Sequence, residues 1–219
     1  MRKLIFLLMG IAFVAGCSNT ENKDKPTKEN EVGQNSESSQ IERENQENGA
    51  YVPNPQVIDD RQLVNEGESI ADEKGEAELI AYKKMEYKLE IGPIEMIIHE
   101  AKVLEFRPDY SLIDFYHGYT HEEKFPFVKV FVEISNNSDR SLNFAPVAFL
   151  QTSMGEKKSW EEDIYLEELN GEIKSGEKKQ GNLGFILSTS NIDSFTMTTS
   201  KVLEGKEEIS NEKVIEVEF

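Results

Sequence analysis

From Tyr87 onward, apolar residues recur at every second position in short runs that turn residues interrupt, a period that suits half-buried strands and excludes amphipathic helices. Tyr87, Leu89 and Ile91 alternate with Lys88 and Glu90. Gly92-Pro93 then turns the chain into Ile94, Met96 and Ile98, the pattern of a hairpin. The strongest run is Val128, Val130, Val132 and Ile134, interleaved with Lys129, Phe131 and Glu133 and closed by Asn136-Asn137-Ser138-Asp139. Phe131 on the polar side of that strand points to burial on both faces. Leu142 to Leu150 continues as a strand that Pro146 confines to an edge or bulge. Further runs at Trp160 to Ile173, Leu183 to Leu187, Phe195 to Val202 and Val214 to Phe219 bring the expected total to eight or nine strands in one all-β sandwich or barrel.

The N-terminus carries a different signal. Met1, Arg2 and Lys3 precede ten apolar residues, Leu4 to Phe13, and small residues then lead to Cys17. The run is too short to span a bilayer, which takes about 20 apolar residues. Val14-Ala15-Gly16-Cys17 resembles the lipobox of bacterial lipoproteins. That resemblance implies a signal peptide over residues 1–16, a diacylglyceryl group on Cys17, and a domain held at the extracytoplasmic face of the cell membrane. Two acyl chains anchor stably where one binds only marginally.

Cys17 is the single cysteine, so the exported domain has no disulfide and must be stabilised by a packed core. Loss of residues 1–16 removes Arg2 and Lys3, leaving 22 basic against 42 acidic residues and a net charge of −20. Such acidity argues against nucleic acid and against adsorption to anionic headgroups. From Ser18 to about Asp60 the chain is mostly Asn, Glu, Lys, Ser and Gln, a composition that cannot bury enough apolar surface to offset its ordering entropy. It reads as a disordered acidic tether. Residues 54–74 have no clean period and admit a short helix or a docked arm. The expected division is therefore signal peptide 1–16, linker 17–62 and sandwich 63–219.

Phe127 to Asp139, with its strand and following N-x-S-D turn, is similar to the central strand of an immunoglobulin-like domain of unknown function found in lipoproteins of Gram-positive bacteria. The segment Ile173-Lys174-Ser175-Gly176-Glu177, running on through Gly181 to Phe185, resembles its second hallmark, with Ser175 where proline is usual. The resemblance implies an immunoglobulin-like β-sandwich and extracytoplasmic display, and it carries no catalytic residues.

No nucleophile elbow, zinc-protease, P-loop or dinucleotide motif is present, and three histidines leave few options for a catalytic triad. The expectation is a non-enzymatic module without a cofactor. Residues 107–126 concentrate Tyr110, Phe115, Tyr116, Tyr119 and Phe125 with His117 and His121, a quarter of the aromatics and two of the three histidines. Long connections of this kind are often functional. Tyr110, Phe115, Tyr116 and Tyr119 are the candidate recognition residues for a protein or cell-envelope partner, the competing role being a cover for the end of the sandwich. His117 and His121, four apart, are weak metal candidates because Gly118 and Tyr119 favour a turn between them. Other classes consistent with the composition are a metal- or small-ligand-binding lipoprotein and a hydrolase using dispersed carboxylates.

Overall fold

The computed structural model describes residues 52–219, so the leader, Cys17 and most of the tether lie outside the described residues. The Gly92-Pro93 hairpin joins the two longest strands, β2 (Gly75–Ile91) and β3 (Ile94–Pro108). With β1 (Ser69–Asp72), β4 (Phe125–Asn136) and β9 (Lys178–Ile186) they form an antiparallel sheet in the order β1-β2-β3-β4-β9. Two smaller sheets make the opposing layer. One pairs β13 (Val214–Glu218), β10 (Ser194–Thr198), β6 (Phe149–Thr152) and β7 (Lys157–Ser159), and the other β12 (Glu207–Ser210), β11 (Val202–Glu204), β5 (Leu142–Phe144) and β8 (Gly171–Ile173). The all-β sandwich expected from the alternation is the observed architecture.

Among the described residues thirteen strands replace the expected eight or nine because the second layer is cut into short pieces. Leu142 to Leu150 is not one strand. It breaks at Pro146, which has no N–H to offer a ladder, and the chain passes from the β5 sheet to the β6 sheet there. Ala145 N–H donates to the Ser200 hydroxyl at 2.8 Å and Ala148 N–H to the Thr198 carbonyl at 2.7 Å on either side of the break.

The two hallmark segments prove to be one structural joint. The fully buried Asn136 donates its side-chain amide to the carbonyls of Arg140, Ile173 and Lys174 at 2.7, 2.9 and 3.1 Å, and its Oδ1 accepts from Ser138. Gly176 holds a φ of 69°, and its N–H donates to the Asn136 carbonyl at 3.0 Å. That left-handed turn is what glycine permits at low cost.

The long sheet is covered on both faces at the end that holds Leu104, Phe106, Phe125 and Phe127. A bulge at His99 shifts the register of β3, so Ile94, Met96 and Ile98 share a face with Ala101 and Val103, and these meet Val128 to Ile134, Phe185, Leu150, Phe195 and Met197 in the sandwich core. Leu104 and Phe106 point the other way, with Phe125 and Phe127, into a second core. Val57, Ile58, Leu63, Tyr116, Ile164 and Tyr165 cover that face. Residues 52–62, assigned from composition to the linker, are thus a docked arm, and the folded unit begins about ten residues before the expected boundary at 63. Four residues, Val57, Ile58, Asn54 and Asp60, bury themselves there in a segment whose average composition is polar.

Candidate functional site

Residues 109–124 leave the sheet after β3 and return at β4. Asp109 opens the excursion by accepting from Ser111 N–H at 2.9 Å, and a single turn of helix, α1 (Ile113–Tyr116), follows. The candidate tyrosines have separate fates. Tyr116 is buried, its ring 5.6 Å from Phe106 and 5.1 Å from Phe125, and its hydroxyl donates to the Gln56 carbonyl at 2.8 Å. Burial pushes its phenol well above the usual range. Phe115 and Tyr119 are half-buried beside it, and Tyr119 donates to the Asp163 carbonyl at 3.3 Å. Tyr110 alone of the four stands free, 86% exposed.

The geometry therefore divides the segment into an inward set that fastens it and an outward set that can meet a partner. The outward set is Tyr110, His117 and His121. The two imidazoles lie 5.6 Å apart edge to face, and among the described residues no group of three or more His, Cys, Asp or Glu side chains is placed to hold a metal ion. The Tyr119–Asp163 bond ties the excursion to the 3-10 turn Trp160–Glu162, whose Trp160 is 49% exposed. Phe149, paired with Ser159 beside that turn, is also exposed. Sequence reasoning passed over both as ordinary strand residues, since alternation alone does not say which of two sheet faces is covered.

Glu76, Glu78 and Glu105 line an open groove with Arg107 and Lys124, and Lys124 lies 3.9 Å from Glu78 and 3.8 Å from Glu105. Asp163 is different in kind. It accepts from Gly184 and Tyr165 N–H at 2.8 and 3.1 Å, and burial still pushes its carboxyl up to about 6. His99, the remaining histidine, is half-buried at the bulge, 3.0 Å from Glu86 and 5.1 Å from the Phe131 ring.

Under the arm lies a charge cluster that composition concealed. Lys102 on β3 and Lys129 on β4 are register partners whose side chains are 0% and 3% exposed. Asp60 reaches them from the arm, 2.9 Å from Lys102 Nζ and 2.6 Å from Lys129 Nζ. Burial opposes the ionisation of Asp60, yet the ammonium groups of Lys129 and Lys102 outweigh it and hold the carboxyl below its ordinary value. A signal existed: Lys129 shares its strand face with Phe127 and Phe131, a poor setting for a solvated lysine.

No family model matches the chain. Among solved structures it is similar to a functionally unknown protein from Listeria monocytogenes EGD-e (TM-score 0.48, 11% identity, 66% of this chain and 88% of that one). It is also similar to the candidate lipoprotein YcdA of Bacillus subtilis (TM-score 0.41, 16% identity, 62% and 39%). In sequence it is 42% identical over 190 residues to the uncharacterized protein YdhF of Bacillus subtilis (strain 168), a match that spans 87% of this chain and 80% of that protein. At that identity and coverage, the chain belongs to the family of YdhF.

Proposed function

We propose that this protein is a lipid-anchored, extracytoplasmic binding module, attached through acylated Cys17 and displaying an immunoglobulin-like sandwich to a protein or cell-envelope partner. The lipobox resemblance of Val14 to Cys17 supports the anchor, and no helix among the described residues is long and apolar enough to cross a membrane. The observation that carries the recognition role is the division within residues 109–124. Tyr116 fixes the excursion to the core and arm, and this rigid mount presents Tyr110 almost fully to solvent. A tyrosine side chain, with only two side-chain torsions, loses little conformational entropy when a partner covers it, which is why tyrosine is favoured at interfaces.

Two measurements test the reading. Cys17→Ala, once its leader is removed, should move from the membrane fraction to the soluble extracytoplasmic fraction; retention of the normally matured variant with membranes would refute the anchor. A photo-crosslinking residue at Tyr110 should form a discrete adduct on intact cells, while one at Glu207, exposed on β12, should not. Equal labelling from both positions would refute recognition through the excursion.

A further inference from the structure

Two lysines facing one another inside a protein are costly unless each is compensated, because every buried ammonium gives up its hydration. Here the compensation is local and complete. Asp60 lies between Lys102 and Lys129, and Glu100 Oε1 approaches both, at 3.3 Å from Lys102 Nζ and 3.6 Å from Lys129 Nζ. Lys102 also donates to the Asp60 main-chain carbonyl at 2.9 Å and so holds the residue in place. Lys129 Nζ is within 2.6 and 2.9 Å of the two carboxylate oxygens of Asp60. The Tyr82 ring lies 5.4 Å from Lys102 Nζ, and the fully buried Tyr165, within electrostatic reach of Asp60, has a hydroxyl without a hydrogen-bond partner among the described residues. A buried amine, a buried carboxyl, a second buried cation and a second carboxylate, that of Glu100, 21% exposed and in contact with the amine, are thus gathered in one site.

We propose that Lys129 and Asp60 condense to an intramolecular isopeptide bond, Glu100 carrying the protons and Lys102 positioning Asp60. The ion pair is the resting state, and the step begins when Lys129 passes one proton to the Asp60 carboxylate, which frees the nitrogen lone pair. The nitrogen attacks Asp60 Cγ and the new C–N bond forms. The ammonium of Lys102 faces the oxyanion that develops. Glu100 takes a proton from the nitrogen and returns it to the leaving oxygen, the C–O bond breaks, and one water departs. One carboxylate oxygen and two of the three ammonium protons make that water, so atoms and charges balance with no oxidant or co-reactant. Two cations and two anions become one of each, Lys102 facing Glu100. Enforced proximity supplies the driving advantage that a bimolecular amide condensation in water lacks.

The step is a single self-modification without turnover. Its effect is to weld the arm, the segment through which the tether enters the fold, to the centre of the long sheet. Tension along the tether would then load a covalent bond and not peel the arm away.

The test is peptide mass analysis of the purified full chain after denaturation and digestion with trypsin. Residues 44–61 and 125–140 should appear as one joined species, lighter than the sum of the two peptides by one water and still containing an uncleaved Lys129. Recovery of residues 44–61, 125–129 and 130–140 as separate peptides at unaltered mass would mean an ion pair only and overturn the proposal. A joined species of residues 44–61 with 89–124, Lys102 uncleaved, would place the bond on Lys102 and overturn the assigned roles. Glu100→Gln, checked for native circular dichroism, should lose the joined species completely; full joining in that variant would overturn the proton-carrying role.

Discussion

The hydroxyl of Tyr116 donates to the main-chain carbonyl of Gln56 at 2.8 Å, across sixty positions of sequence. One bond links the aromatic excursion to the arm, so the two coverings of the outer sheet face stabilise each other. Tyr116→Phe should cost on the order of 1 kcal/mol by leaving that carbonyl without its donor, and Tyr116→Ala about 3–5 kcal/mol by emptying the space among Phe106, Phe115 and Phe125. Tyr110→Ala should change stability by less than about 0.5 kcal/mol, as at other exposed positions. Denaturant unfolding of the three variants checks the order, and a large loss for Tyr110→Ala would show that this side chain is architectural.

Asp60 is the arm's polar fastening. Asp60→Ala leaves Lys102 and Lys129 buried with Glu100 alone, and the loss should be about 3–5 kcal/mol, the scale found when one member of a buried pair is removed. Limited proteolysis should then cut within residues 54–63, which the wild-type protein protects. Unchanged protection would mean that Val57, Ile58 and Leu63 hold the arm without the charge cluster.

Stability should respond to Asp163 in the opposite sense to an ion-paired carboxylate. Its folded value of about 6 lies above the ordinary 3.8, so the native protein retains a proton that the unfolded chain has released between those pH values. The stability this group contributes is complete below pH 3.8 and disappears as pH rises through 6, a swing of about 3 kcal/mol, since each pH unit between the two values is worth about 1.4 kcal/mol. Asp163→Asn keeps an oxygen to accept from Gly184 and Tyr165 N–H. Relative to wild type, its melting temperature should be higher at pH 7.5 than at pH 4.5, and an equal difference at both would contradict the burial argument.

Gly184 lies flat beneath Tyr165, and a Cβ at that position would sit 2.7 Å from two ring carbons. Gly184→Ala should destabilise the protein by about 1–3 kcal/mol through forced displacement of the ring. Thermal unfolding checks this, and a neutral result would show that the ring can shift without loss.

Asn136→Ala should cost at least as much as any single hydrogen-bond deletion, about 1–3 kcal/mol, because three carbonyls lose one donor group at the junction of β4 and the Ser175-Gly176 turn. Calorimetry of the purified variant measures it. A smaller effect would place the stabilisation of that joint in the main-chain bonds of Gly176 and Glu177 instead.

Alternation and turn chemistry act within a few residues, so the sandwich, the Gly92-Pro93 hairpin, the pairing of the C-terminal strand and the closing turn at Asn136 were all legible in the sequence. Val128 to Ile134 could be nothing other than a strand, and Ile215 and Val217 do lie buried against β10. The covering of the second face of the long sheet is settled instead by contacts between distant segments. Asp60, Lys102 and Lys129 are each unremarkable in their own neighbourhoods, and their meaning arises only when β3 and β4 pair in register and the arm folds back across 42 and 69 positions. The same holds for Tyr110 and Tyr116, six residues apart in one aromatic segment. Local composition treats them alike, whereas contact with Gln56 and Phe106 buries one and leaves the other to solvent, since burial is set by residues distant in the chain.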